Sequence, residues 1–113
     1  MRPRTLQSLK DILKYGERIQ RIASGKTITD FLSDEMLHDA VERDFEIIGE
    51  AMRRVKVEEP EIAARIAWSR RAIGFRNVLA HGYDVIRDRD VWGLIHDDLP
   101  KLLAEVEDLV RSG

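Results

Sequence analysis

The stretch "FRNVLAHGYD", positions 75 to 84, concentrates chemistry: Arg76, Asn77, His81 and Tyr83 fall within eight residues, with small or apolar residues between them. A histidine that titrates near neutrality can take a proton from an attacking hydroxyl or return one to a leaving oxygen. The arginine fork can hold phosphate oxygens and stabilise the charge that builds up in the transition state. These parts suit metal-free cleavage of RNA, in which a 2′-hydroxyl attacks the adjacent phosphorus and the 5′-oxygen leaves. Asn77 and His81 are four apart and share a helix face, so the amide can fix one imidazole nitrogen and leave the other to work. Arg76 and His81 are five apart, about 140° round an ideal helix, so the pair relies on the length of the arginine. Gly82 removes bulk beside the histidine, and Tyr83 carries a phenol into the same region.

A lone histidine makes a poor ribonuclease. Two chains packed with these helix ends facing would bring two Arg/His sets around one phosphate, which predicts a homodimer. The spacing itself decides little. With 14 arginines and 3 histidines in the chain, roughly 0.4 pairs of this separation arise by chance. From the residues alone, both an active site and a plain helix terminus closed by Gly82 remain open.

The elements that must position these residues read as helices. "LQSLKDILKYGERIQRIA" carries Leu6, Leu9, Leu13, Gly16, Ile19 and Ala23 at three- and four-residue steps, with Thr5 as the expected N-cap and Gly25 as the terminator. "KTITDFLSD" reads as a loop with one helical turn. A second helix is expected from about Asp34 to Val55, with Leu37, Val41, Phe45, Ile48, Met52 and Val55 on its apolar side. Asp39, Arg43, Glu46 and Glu50 form a polar stripe nearly opposite. That stripe is either a solvated face of helical charge pairs or the lining of a cleft or partner surface.

Pro60 suits the first position of a third helix, "EPEIAARIA", and Ser69 can cap the motif helix "RRAIGFRNVLA". "YDVIRDRD" reads as a loop ending at Asp90, the expected cap of a last helix. In that helix Val91, Ile95, Leu99, Leu102, Val106 and Leu109 keep a helical step across Pro100, so one kinked helix is expected. No alternating β-branched run is present. The expected fold is all-α: an antiparallel up-down bundle of four long helices plus a short one, in a single domain over residues 1–113.

Composition limits the partners. Hydrophobic residues at 43% and charged residues at 35% describe a globular chain, and a net charge of −2 lacks the field of a polyanion coat or membrane-surface binder. Any contact with RNA phosphates must be local, and Arg70 and Arg71 beside the motif are the candidates. With no cysteine, disulfides and thiolate chemistry are excluded, and a reducing compartment is compatible. Neither a membrane span nor a secretory leader is legible, so the expected location is the cytoplasm. No metal site or cofactor is expected: His38 and His96 lie beside acidic residues, but the spacing does not make them converge with carboxylates, and both read as solvent-exposed helix positions. Trp92 reads as a core or interface anchor rather than a platform for stacking bases.

The longer string "GFRNVLAHGYD" resembles the signature of HepT-like toxins in the HEPN superfamily, in which an arginine, four to six residues, a histidine, any residue and a tyrosine mark the active region. "DAVERDFEIIGEAMRR", "PEIAARI", the "VW" at 91 to 92 and "DDLPKL" resemble that family in the same order, over about Leu6 to Leu109. One departure is "AWSRR", where the family often carries a Pro-containing turn. The resemblance implies a HEPN-like, homodimeric, metal-independent endoribonuclease, the toxin of a toxin–antitoxin pair, with Arg76 and His81 as its catalytic residues and Asn77 supporting them. It also implies a minimal nucleotidyltransferase antitoxin as partner, transferring AMP onto Tyr83. The alternative is a non-catalytic helical module that docks the nucleotidyltransferase or a nucleotide.

Overall fold

The structure, a computed structural model, describes residues 1–69 and 85–113, with side chains in the second stretch described from 88 onward. The described residues are all-α: α1 (Pro3–Ala23), α2 (Ile28–Ser33), α3 (Glu35–Glu58), α4 (Pro60–Ala63), α5 (Val85–Asp97) and α6 (Leu99–Ser112). None of these helices is long and apolar enough to cross a membrane. The motif helix expected over "RRAIGFRNVLA" lies outside the described residues.

Helix α1 begins two residues before the expected cap. Pro3 occupies the first turn, where its missing amide hydrogen would have no partner, and Arg2 precedes it without a side-chain cap. Thr5 instead lies inside the helix and is fully buried. The buried face runs through Thr5, Ser8, Leu9, Ile12, Gly16, Ile19 and Ala23, so the expected stripe is rotated slightly. Leu6 and Leu13 sit at its margin and Ile12 at its centre. Gly25 closes the segment with a φ of 74°, a left-handed conformation suited to glycine.

The loop expected over "KTITDFLSD" holds a compact helix. Thr27 and Asp30 form a reciprocal capping box: the Thr27 hydroxyl accepts from the Asp30 amide at 3.1 Å, and the Asp30 carboxylate accepts from the Thr27 amide at 2.9 Å. This cap lets α2 drive Phe31 fully into the core. Asp34 then caps α3, its Oδ1 accepting from the amides of Met36 and Leu37 at 3.1 Å each.

All six apolar residues expected on the inner face of α3 are buried. α1 and α3 pack antiparallel, as three polar ties between them show. The Arg2 amide donates to Glu59 at 2.5 Å; Arg54 donates to Ser8 at 3.2 Å and pairs with Asp11 at 3.4 Å; Arg18 pairs with Asp44 at 3.0 Å. Helix α6 lies across α1, and a Cβ on Gly16 would collide with the Leu103 side chain. The Ala67 amide donates to Glu105 of α6 at 3.0 Å, anchoring the turn beyond α4.

The C-terminal half corrects one expectation. "VIRDRD" is not a loop: α5 is helical from Val85, and Asp90 lies within it rather than capping it. The segment holds no glycine or proline to stop a helix. Its four charged residues in succession hide the apolar periodicity by which a helix is read. α5 and α6 meet at Asp98, where the Asp98 amide donates to Leu94 at 3.1 Å and the Leu102 amide to the Asp98 carbonyl at 3.0 Å. Pro100 cannot donate to the carbonyl four residues back, and where one kinked helix was expected the structure has two helices that meet at Asp98.

Two outcomes test this packing. Gly16→Leu should lower stability by roughly 1–3 kcal/mol through overpacking, and Leu103→Ala in the same background should restore part of the loss in a urea titration. Glu59 titrates below the usual 4.5, first because the Arg2 amide donates to its carboxylate, with the Arg2 charge adding to this. Its stabilising contribution is therefore complete above about pH 4.5 and is lost as pH falls through the lowered folded-state value. Glu59→Gln should flatten stability against pH in that acid window and lower it near pH 7, where the ionised carboxylate contributes in full.

Candidate functional site

Arg70, Arg71, Arg76, Asn77, His81 and Tyr83 all lie outside the described residues. Among the described residues a polar cluster joins α3 to the start of α5. Asp88 lies five positions after Tyr83, in the first turn of α5. Its Oδ1 is 2.9 Å from Nε2 of His38, the fourth residue of α3. Glu42, four residues further along α3, brings Oε2 to 2.5 Å from the same nitrogen. On the other side of the ring, Nδ1 is 3.2 Å from Oδ1 of Asp39.

The cluster is held by the aromatic core beside it. The Phe31 ring lies 5.0 Å from the His38 ring and 5.1 Å from Trp92, and Trp92 meets His96 edge-on at 5.3 Å. The α2 capping box sets Phe31 in place, so a short local motif orients a histidine one helix away. Trp92 is 8% exposed, the core anchor expected of it.

Burial alone would push the His38 pKa down. Hydrogen bonds to Asp88 and Asp39 and the negative charges of Glu42 and Asp88 outweigh it, so the ring titrates above 6.5 and favours the imidazolium. His38 therefore departs from the exposed position expected of it: its side chain is 18% exposed and three carboxylates converge on it. His96 is exposed, as expected.

The polar stripe of α3 carries helical charge pairs. Arg43 pairs with Glu46 at 3.5 Å and Arg53 with Glu50 at 2.7 Å, and Asp39 and Arg43 are exposed. The buried acids are one step round the helix, at Glu42 and Asp44. Burial raises the Asp44 pKa above 3.8, with Arg18 holding it partly down. The sequence reading overlooked Glu42 and Asp88. The spacing of His38 and Glu42, one helical turn apart, was a legible signal for the first; nothing in the sequence paired either with Asp88, fifty residues from His38.

The sequence profile of the HepT-like ribonuclease family matches residues 12–109. A protein of Methanocaldococcus jannaschii, named as a candidate RNase, is 32% identical over 99 residues, which cover 88% of this chain and 90% of that protein. A similarly named protein of Caldanaerobacter subterraneus is 31% identical, with 92% of each chain covered. A Thermococcus cleftensis protein named "Probable ribonuclease HepT" is 32% identical over 89% of this chain and 91% of its own length. No solved structure matches the chain. The profile spans the chain from Ile12 to Leu109, so the chain belongs to the HepT-like ribonuclease family.

Proposed function

We propose that the protein is a metal-independent endoribonuclease, the toxin of a toxin–antitoxin pair, acting as a homodimer. One observation carries this reading: the chain matches the family over residues 12–109, a span that takes in Arg76, Asn77, His81 and Tyr83, the residue types the chemistry needs. His81 takes the proton of the 2′-hydroxyl as its oxygen bonds to phosphorus, or gives a proton to the 5′-oxygen as the P–O bond breaks. The products are a 2′,3′-cyclic phosphate and a free 5′-hydroxyl. Arg76 stabilises the extra charge on the phosphate oxygens, and Asn77 holds the His81 tautomer. In the dimer a second Arg76/His81 set supplies the complementary proton transfer. Arg70 and Arg71 contact neighbouring RNA phosphates, giving an acidic chain a local basic track.

Neutralisation comes from a minimal nucleotidyltransferase partner. The Tyr83 phenol oxygen attacks the α-phosphorus of ATP, pyrophosphate leaves and the phenolic proton passes to solvent. The AMP attached at Tyr83 puts an anion beside Arg76 and fills the space RNA would need.

The chain expressed alone should arrest growth, and the purified protein should fragment RNA with EDTA present. His81→Ala or Arg76→Ala should lower cleavage by roughly a hundredfold or more and leave the helical circular dichroism unchanged. A wild-type protein that binds the nucleotidyltransferase yet cuts no RNA would establish the docking-module alternative instead. Coexpression with the nucleotidyltransferase and ATP should add mass in whole AMP units, and Tyr83→Phe should abolish the addition. An unchanged wild-type mass would remove the proposed switch.

A further inference from the structure

The cluster at the start of α3 and α5 has a geometry that one proton serves poorly. An imidazole Nε2 carries a single hydrogen, yet both Glu42 Oε2 and Asp88 Oδ1 point at it, at 2.5 and 2.9 Å. One donor cannot bond both oxygens at full strength. A metal cation at the same point accepts all three donors at once. Once the ion displaces the Nε2 proton to solvent, one lone pair from each of the nitrogen and two oxygens, on atoms lying within 4.8 Å of one another, gives the mixed nitrogen and oxygen set that suits a first-row dication.

The surroundings add what a ligand histidine requires. Its other nitrogen faces the Asp39 carboxylate at 3.2 Å, the contact that fixes which nitrogen is free to bind metal. The Phe31 ring, 5.0 Å away, limits ring rotation. Ligands at about 2.0–2.2 Å from a tetrahedral zinc ion stand roughly 3.3 Å apart. The two carboxylate oxygens need withdraw from Nε2 by less than an ångström, which side-chain rotation provides. Glu42 and Asp88 also make other interactions, and a carboxylate can keep these through one oxygen while giving the other to the ion. The three ligand side chains are 18%, 11% and 16% exposed, so the site is sheltered but open to water as a fourth ligand.

We propose that His38, Glu42 and Asp88 form a binding site for a transition-metal dication, with zinc the best match, which pins the N-terminal turn of α3 to that of α5. The ion has a structural role and takes no part in RNA cleavage, so the site stands or falls independently of the ribonuclease reading.

The full chain, stripped with EDTA and dialysed, is titrated with zinc chloride by calorimetry, and its melting temperature is followed with and without zinc. One zinc per chain should bind and raise the melting temperature, and cobalt(II) at the same site should give visible absorption bands. Asp88→Asn and His38→Gln should each weaken binding at least a hundredfold, and Asp39→Asn by roughly ten- to a hundredfold. His96→Gln should leave binding unchanged. If His38→Gln does not fold, Asp88→Asn and Glu42→Gln carry the test, with circular dichroism confirming their helices. The proposal is overturned if zinc does not bind saturably, or if binding survives Asp88→Asn and Glu42→Gln.

Discussion

The described structure depends on the antiparallel seam between α1 and α3. Each helix contributes an apolar face that water would penalise if left exposed, and the two faces bury one another along nearly their full length. Three polar ties fix the register of that seam, at Glu59, Arg54 and Arg18, from one end to the other. Shifting either helix by one residue would turn buried side chains towards solvent and break all three ties together. The remaining elements rest on this pair: α2 and α5 cover one end of α3, and α6 lies against α1 where Gly16 permits close approach.

Charge is organised around the same seam. Helical pairs such as Arg43–Glu46 and Arg53–Glu50 lie towards the surface, where solvent screens them and each contributes little. Asp44 and Glu42 are different because they are buried, and a buried carboxylate needs a partner. Asp44 has Arg18 across the seam, whereas Glu42 shares His38 with Asp88. The second arrangement joins two helices distant in sequence, at a residue that follows Tyr83 by five positions in the chain.

Much of this was legible in the chain. The periodicity of Leu37 to Val55 marked six residues of α3 that are all buried, since a helix packed on one side must repeat its apolar residues every three or four positions. Helix ends were read less well. Thr5 has the chemistry of a cap, but Pro3 starts the helix earlier and Thr5 is taken into the core. "VIRDRD" was read as a loop because its charges show no single apolar face, yet nothing in it breaks a helix. The residues of the expected cleavage site fall within the span of the family match and outside the described residues.

The sequence by itself determined the helical class, the inner faces of the long helices and membership of a ribonuclease family, because each is written in local periodicity or in a contiguous motif. Only the tertiary structure decided that His38 meets Asp88, that Gly16 receives Leu103 and that Asp44 is buried against Arg18. These are contacts between residues far apart in the chain. Their geometry follows from how whole helices pack, and no spacing along the sequence encodes that.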